Sequence, residues 1–171
     1  MTLAFGSLPT NLGNILVAVT EEGVAATSLA DSPSARRWIA DKSGLEVVDD
    51  PSRCAPALAE LSRYFAGELR TFGVAVDFRL MSKSQEKVLG TLYRSVHYGQ
   101  VVTYGELARL SGTGIPARGI GSIMGSNPIP IIVPCHRVVA GDGLGGFSAG
   151  EGVESKRQLL TLEGALPEGL W

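Results

Sequence analysis

The stretch Thr103-Tyr104-Gly105-Glu106-Leu107-Ala108-Arg109-Leu110-Ser111-Gly112-Thr113-Gly114-Ile115-Pro116-Ala117-Arg118-Gly119-Ile120-Gly121 reads as a helix, a glycine-containing turn and the start of a second helix. Thr103 stands where an N-cap belongs, and Glu106 three residues on completes a capping box. Gly112 falls where the first helix should stop, and Pro116 where the second, Ala117 to Gly125, should open. This is the helix-turn-helix pattern, and equally the pattern of a plain packed α-hairpin. The second helix is unusual in composition. Ala117, Gly119, Gly121, Ser122 and Gly125 leave it almost free of bulk, and Arg118 is its one long polar side chain. Such a face suits close approach to another surface, either a protein core or the minor groove of a duplex.

Downstream, Asn127-Pro128-Ile129-Pro130 leads into Ile131-Ile132-Val133-Pro134-Cys135-His136-Arg137-Val138-Val139. An apolar run, read as a buried strand, stops at a proline where Cys, His and Arg follow in succession. Thiolate is the reactive form of cysteine, and neighbouring positive charge favours it. His136 and Arg137 offer a base and a cation. Taken alone, Cys135 reads as well as a buried inert thiol. Residues 141–150 form a glycine-rich loop without the Gly-Lys-Ser/Thr ending of a nucleotide-phosphate loop. A last helix spans Val153 to Leu162 with Leu159, Leu160 and Leu162 inward, and the tail to Trp171 reads as loosely held.

Upstream, the helical spacing of Val88, Leu89, Leu92, Tyr93 and Val96 predicts an amphipathic helix over 84–97. Asn14–Thr20 and Val24–Leu29 read as strands joined by Glu21-Glu22-Gly23. Ser32-Pro33 opens a helix that Gly44 closes, and Leu45–Val48 is a short strand. Pro56 is read as the start of a second helix with Leu58, Leu61 and Phe65 on one face, which places Cys54 in a loop. Phe72–Phe78 alternates as a closing strand. The expected fold class is α/β (α+β), in two domains. Residues 1–80 form an N-terminal α/β domain with an antiparallel sheet. Residues 81–171 form a mainly helical C-terminal domain that carries the helix pair and Cys135.

Hydrophobic residues make up 44% of the 171 and no apolar run is long enough to span a bilayer, so a membrane role is not expected. Cys54, Cys135, His97 and His136 are too few and too far apart for a structural metal site. A free thiol with a role implies a reducing compartment, here the cytoplasm. Charge is uneven. Residues 1–82 carry seven basic and ten acidic side chains, a net of −3, and residues 138–171 are also at −3. Residues 83–137 carry six basic and two acidic, a net of +4, so the positive charge lies with the helix pair and the cysteine.

Together these segments resemble the O6-alkylguanine-DNA alkyltransferases, closely over 99–163 and more loosely over 10–98, where Thr10-Asn11-Leu12-Gly13 and Tyr64-Phe65-Ala66-Gly67 echo the family. The resemblance implies direct-reversal DNA repair: irreversible, once-only transfer of an alkyl group from O6-alkylguanine, with O4-alkylthymine as the related lesion, to Cys135. In this reading His136 takes the Cys135 proton through a water, Glu163 orients His136, and Asn127 braces the turn. Tyr104 assists nucleotide rotation and the departing base. The helix with Ala117, Arg118 and Gly119 enters the minor groove, and Arg118 fills the gap left by the flipped nucleotide. Met124, Phe147, Val138 and Ser148 line the base pocket, over which the 141–150 loop closes. The implied partner is double-stranded DNA, the implied state is a monomer, and neither cofactor nor metal is implied. Ser84-Gln85 and Leu89 depart from the family pattern and read as core substitutions. Phe147 stands where tyrosine is usual, and the spacing from there to Lys156 suggests a small insertion.

Three other readings compete. A non-catalytic relative that binds alkylated DNA would lack the cysteine. A cysteine hydrolase using Cys135 and His136 with Asn127 or Glu163 would have no use for Arg118. A helix-turn-helix regulator sensing redox state or alkylation through Cys135 would need a dimerisation helix that is not evident.

Overall fold

The strand at the centre of the first sheet is one that alternation alone does not reveal. β1, Thr2–Thr10, contains Gly6 and Pro9, two residues that normally weaken a strand. It nevertheless pairs antiparallel with β2, Gly13–Thr20, and parallel with β4, Glu46–Val48. β3, Gly23–Ser28, completes the order β3-β2-β1-β4. Both interruptions have local reasons. Pro9 lies beyond the Thr2–Ala4 stretch that β4 covers, so only one neighbour asks for backbone bonds there. Gly6 lets a helix lie against the strand. A Cβ at that position would sit 2.9 Å from Cys54 Cβ and 3.0 Å from Leu58 Cδ1.

The computed structural model describes residues 1–166 and divides the chain into two compact units, Met1–Leu80 and a second beginning at Met81. In the first, all residues of β2 from Ile15 to Thr20 are buried, as expected of a strand covered on both faces. α1, Pro33–Ser43, is capped by the Ser32 hydroxyl on Ala35 N–H and closed by Gly44, and its Ile39 joins Leu3, Leu16, Ala18, Ala25 and Ala26. α2, Pro51–Phe65, buries Cys54, Ala57, Leu61 and Tyr64.

Four sequence expectations for this unit are corrected. α2 starts at Pro51, not Pro56, because the Asp50 carboxylate caps Arg53 N–H. Pro56 then lies inside the helix, on its exposed side. Cys54 is therefore helical and fully buried, its thiol directed at Ala4 O at 3.5 Å. The inward stripe accordingly runs through Tyr64, with Leu58 and Phe65 only half-buried. The segment 72–78 is not a strand but makes a single parallel bridge between Val76 and Val24. The Glu60 carboxylate accepts the N–H groups of Gly73 and Val74, which removes them from any ladder.

The second unit begins with α3, Lys83–Ser95, under a complete Ser82/Gln85 capping box. Gln85 is thus a cap that also donates to Ser126 Oγ at 2.9 Å, and Ser84 is exposed. Of the presumed core substitutions, only Leu89 is buried. β5, Val102–Thr103, leads directly into α4, Tyr104–Ser111, whose Thr103/Glu106 capping box is also complete. Gly112 ends α4 in the left-handed region, and α5, Ala117–Gly125, follows Pro116 and packs on α4. β6, Val138–Val139, pairs parallel with β5, and α6 spans Val153–Leu162. Within α6, Leu159 and Leu160 are buried and Leu162 is only partly so. The tail from 167 to Trp171 lies outside the described residues. Among the described residues no helix is long and apolar enough to cross a membrane.

The apolar run 131–133, expected as a strand, continues a series of turns and bends that begins at 128. Ile129, Ile131 and Val133 are buried, and Ile131 has a φ of 76°, the one positive value outside glycine among the described residues.

Gly6→Ala tests the helix–sheet approach in the first unit. The added methyl meets a Cβ rather than a flexible side-chain end, so a loss of about 1–3 kcal/mol is expected in a urea melt followed by circular dichroism. A melt unchanged from the parent would refute the close contact.

Candidate active site

Cys135 is positioned by a clamp on the turns that precede it. Asn127 Oδ1 accepts Ile129 N–H at 2.9 Å, and its Nδ2 donates to Val133 O at 2.9 Å. This one amide ties together both ends of the buried run and holds Ile131 in its unfavourable backbone region. Cys135 N–H then donates to Val133 O at 2.8 Å, and Cys135–Arg137 make one 3₁₀ turn before β6. Burial pushes the Cys135 thiol up from its ordinary value. The Asn127 side chain, the Lys156 charge and the backbone N–H groups of Cys135 and His136 pull it down less strongly. The resting residue is therefore a thiol, and a base has to make the nucleophile.

The next residue offers a group that can accept a proton. His136 is fully buried, with Nε2 2.8 Å from Glu163 Oε2. Arg137 grips the same carboxylate twice, Nε to Oε1 at 2.8 Å and Nη2 to Oε2 at 3.0 Å, while its Nη1 donates to Val96 O at 2.8 Å. Burial would push the Glu163 carboxyl up, but the hydrogen bonds and charges of His136 and Arg137 outweigh it and hold it at about 2. Burial lowers His136 below its ordinary value despite the carboxylate, so it rests as neutral imidazole. With an ionised partner at Nε2, the ring proton belongs on that nitrogen. Nδ1 is left as a lone pair, buried and without a hydrogen-bond partner among the described residues. The cationic role expected of Arg137 at the thiol is corrected here. Its guanidinium is spent on Glu163 and Val96, and the cation acting on Cys135 is Lys156.

Cys135 opens on a cavity of about 410 Å³, within the range of small-molecule sites. Tyr104 from α4, and Gly121, Met124 and Gly125 from α5, form one side, and Gly146, Phe147 and Ser148 form the other. Two of the five small residues of α5, Gly121 and Gly125, thus border the cavity. Ala117 and Arg118, at its start, are exposed and outside the cavity, and Gly119 packs tightly on Ile115. Val138 does not line the cavity, and its carbonyl accepts from Lys156 Nζ at 2.7 Å. Ser148 Oγ donates to Gly125 O at 3.0 Å, joining the loop to the end of α5. Burial, and the charge Cys135 carries whenever it is ionised, push the Tyr104 phenol up, and Gly146 N–H opposes them, so the hydroxyl keeps its proton.

Two residues escaped sequence reading. Gly145, with φ of 74°, brings the loop so close that a Cβ there would lie 2.9 Å from the Tyr104 hydroxyl oxygen. Lys156 is fully buried on α6. Its position three and four residues before Leu159 and Leu160 puts it on their inward face, so helical spacing would have found it. A larger hollow, about 540 Å³, lies in the first unit beside Glu21, Arg53 and Glu60. Neither cysteine nor histidine lines it, and Glu21 and Glu60 are bonded to Thr2 and to the Gly73 and Val74 amides.

Folded-state pKa values below the unfolded ones mean that the unfolded chain binds protons first, so stability falls with pH. His136 contributes to this loss from about 6.5 downward, and Glu163 from about 4.5 towards about 2. Urea midpoints measured from pH 8 to 3 should follow that course. Glu163→Gln, which leaves Arg137 buried without its anion, should cost about 3–5 kcal/mol at pH 7 and flatten the dependence below 4.5. A variant with the parent's acid profile would contradict this account.

Two family models match the chain. The 6-O-methylguanine DNA methyltransferase ribonuclease-like domain covers residues 3–78, and the DNA binding domain of the same name covers 83–165. A methylated-DNA–protein-cysteine methyltransferase of Methanopyrus kandleri is 48% identical over 109 residues, 63% of this chain and 79% of its own. One of Sulfolobus acidocaldarius is 32% identical over 168 residues, 98% of this chain and 97% of its own. Among solved structures, the Mycobacterium tuberculosis O6-methylguanine methyltransferase superposes with a TM-score of 0.75 at 31% identity, over 99% of this chain and 96% of that one. The OGT of the same organism in complex with DNA gives 0.76 at 33%, over 94% and 92%. With both halves matched and a relative aligned over nearly its whole length, the chain belongs to the methylated-DNA–protein-cysteine methyltransferase family.

Proposed function

We propose that this chain repairs DNA by drawing an O6-alkylated guanine out of the duplex and moving the alkyl group onto Cys135, once per molecule. The observation that carries the reading is the buried array that follows on the cavity-lining Cys135. A protonated thiol lies next in sequence to a neutral histidine whose Nδ1 is unoccupied and whose Nε2 is locked on an ionised carboxylate. A binding protein has no need of that arrangement, and a sensor has no need of the cavity.

The chemistry balances with the chain's own groups and one water. The Cys135 proton passes through the water to His136 Nδ1. The thiolate attacks the saturated carbon, so an S–C bond forms as the C–O6 bond breaks with its electron pair on guanine. Tyr104 donates its hydroxyl proton to the departing base and recovers one from the imidazolium. Glu163 stabilises that imidazolium, and Arg137 keeps Glu163 from taking the proton itself. The product is a thioether with no activated leaving group, so the protein does not turn over and needs no cofactor.

Taking a base out of the stack costs a few kcal/mol. The exposed Arg118 is suited to fill the vacated position as α5 enters the minor groove, with Ala117 and Gly119 keeping that end of the helix narrow. The opened base would then lie between Met124, Phe147 and Ser148. Every group the reaction uses comes from a single chain, which supports a monomer, and a reduced Cys135 suits the cytoplasm.

Intact-protein mass after mixing with a duplex carrying O6-methylguanine tests the reading. One methyl group per protein, at Cys135, with guanine restored and nothing added to Cys135→Ala, is the expected result. Tight lesion binding without a mass change would instead make this a damage-recognition protein. Arg118→Ala should slow transfer at least roughly tenfold, because part of the cost of base opening is no longer offset. Since His136 titrates below 6.5, the transfer rate should hold from pH 7.5 to 6.5 and fall only under more acid conditions.

A further inference from the structure

The end of α5 is tied at three consecutive residues, each to a different segment. Gly125 O accepts the Ser148 hydroxyl of the 141–150 loop at 3.0 Å. Gln85 Nε2, from the first turn of α3, donates to Ser126 Oγ at 2.9 Å. Asn127 closes the cysteine turn through Ile129 N–H and Val133 O, both at 2.9 Å. A shift at the end of α5 is therefore a shift of the clamp that presents Cys135.

α5 has little of its own with which to fix that end. Three of its nine residues, Gly119, Gly121 and Gly125, are glycine, among the poorest helix formers. Among the described residues no side chain caps its start, and only Ile120 and Met124 on it are buried. Support has to come from neighbouring elements, and the Gln85 amide supplies it. Its Oε1 accepts Ser82 N–H at 2.8 Å, which completes the capping box of α3. A capping box asks for nothing more than that acceptor. The other end of the amide is free for Ser126, whose Oγ lies 3.1 Å from Ser122 O and 3.2 Å from Ile123 O and donates back into the last turn of α5. One side chain thus joins the start of α3 to the joint between α5 and the cysteine turn.

We propose that Gln85 is a positioning residue for alkyl transfer: through Ser126 it sets the end of α5, and with it Asn127 and the place of Cys135 against the cavity. The inference rests on the alkyl-transfer reading for its purpose. Gln85 is absent from the cavity lining and acts only through the residues it holds. Met124 and Gly125 form a wall of the cavity just before the joint, and the sulfur is presented by the turn just after it. Attack at a saturated carbon tolerates little displacement between the two. Arg118 stands at the opposite end of α5, so cutting the tie should leave grip on the duplex intact and slow the chemical step.

The test uses the full chain and a duplex carrying O6-methylguanine. Single-turnover transfer at saturating duplex is measured for the parent, Gln85→Met, Ser126→Ala, Ser126→Thr and the Gln85→Met/Ser126→Ala double variant. Lesion affinity is measured for the same set with Cys135→Ala. Ser126→Ala matters because it cuts the tie and leaves the α3 capping box whole. Gln85→Met and Ser126→Ala should each slow transfer about fivefold, the worth of one hydrogen bond, with affinity unchanged. The double variant should be no slower than either single one, because both remove the same contact. Ser126→Thr, which keeps the hydroxyl, should transfer at the parent rate. A loss of stability alone would lower the reacting fraction or the affinity instead of the rate, and would overturn the proposal. Parent rates in both single variants, or losses that multiply in the double, would overturn it too. A parent protein that takes up no methyl group sinks the alkyl-transfer reading. Hydrogen exchange at the Ile129 amide, which Asn127 holds, then judges the tie: faster exchange in Gln85→Met and Ser126→Ala supports it, and parent exchange in both refutes it.

Discussion

A carboxylate with almost no access to water holds the second unit's chemistry together. Glu163 follows directly on α6, yet its oxygens are taken by His136 and Arg137, and Arg137 in turn reaches the exit of α3 at Val96. One anion therefore joins three segments that are distant in sequence. Burying it requires the arginine, and having the arginine there prevents it from becoming the base. In the proposed transfer, the proton from the thiol is left with one destination, the imidazole. The same contacts that fix the fold around Glu163 decide which group accepts a proton.

The nucleophile depends on a second constraint, made by Asn127. Its amide closes the turn at both ends, and the strain at Ile131 is held there by burial of the run around it. Strain of this kind survives only where the surroundings over-determine it. Cys135, His136 and Arg137 consequently leave the turn on a 3₁₀ path, which sends three consecutive side chains to three different tasks.

Much of this was legible in the residues. Cap residues, closing glycines and Pro116 marked α1, α4 and α5, because local hydrogen bonding decides where helices begin and end, and apolar spacing marked α3. The Cys-His pair and Asn127 were legible from their order. What was missed depended on partners distant in the chain. β1 carries Gly6 and Pro9 for reasons found on α2 and at the limit of β4, and the Phe72–Phe78 alternation was overruled by Glu60. The run 129–133 is apolar because it is buried, and burial does not distinguish a strand from a turn. Arg137 looked like the thiol's cation because it is near in sequence. Lys156, nineteen places after Arg137 in the chain, looked like surface because lysine usually is.

The pairing of Val102 and Thr103 with Val138 and Val139 has a mechanical meaning. Thr103 caps α4, and Val138 follows the cysteine turn, so one short ladder fixes the origin of the helix pair against the origin of the nucleophile. The two cannot drift independently. Any surface gripped by α4 and α5 is presented to the sulfur at a set height, as a workpiece is by a jig. Reach then becomes a property of the backbone rather than of the side chains. A reactive carbon that is a bond too near or too far would be discriminated by position alone, before its chemistry is consulted.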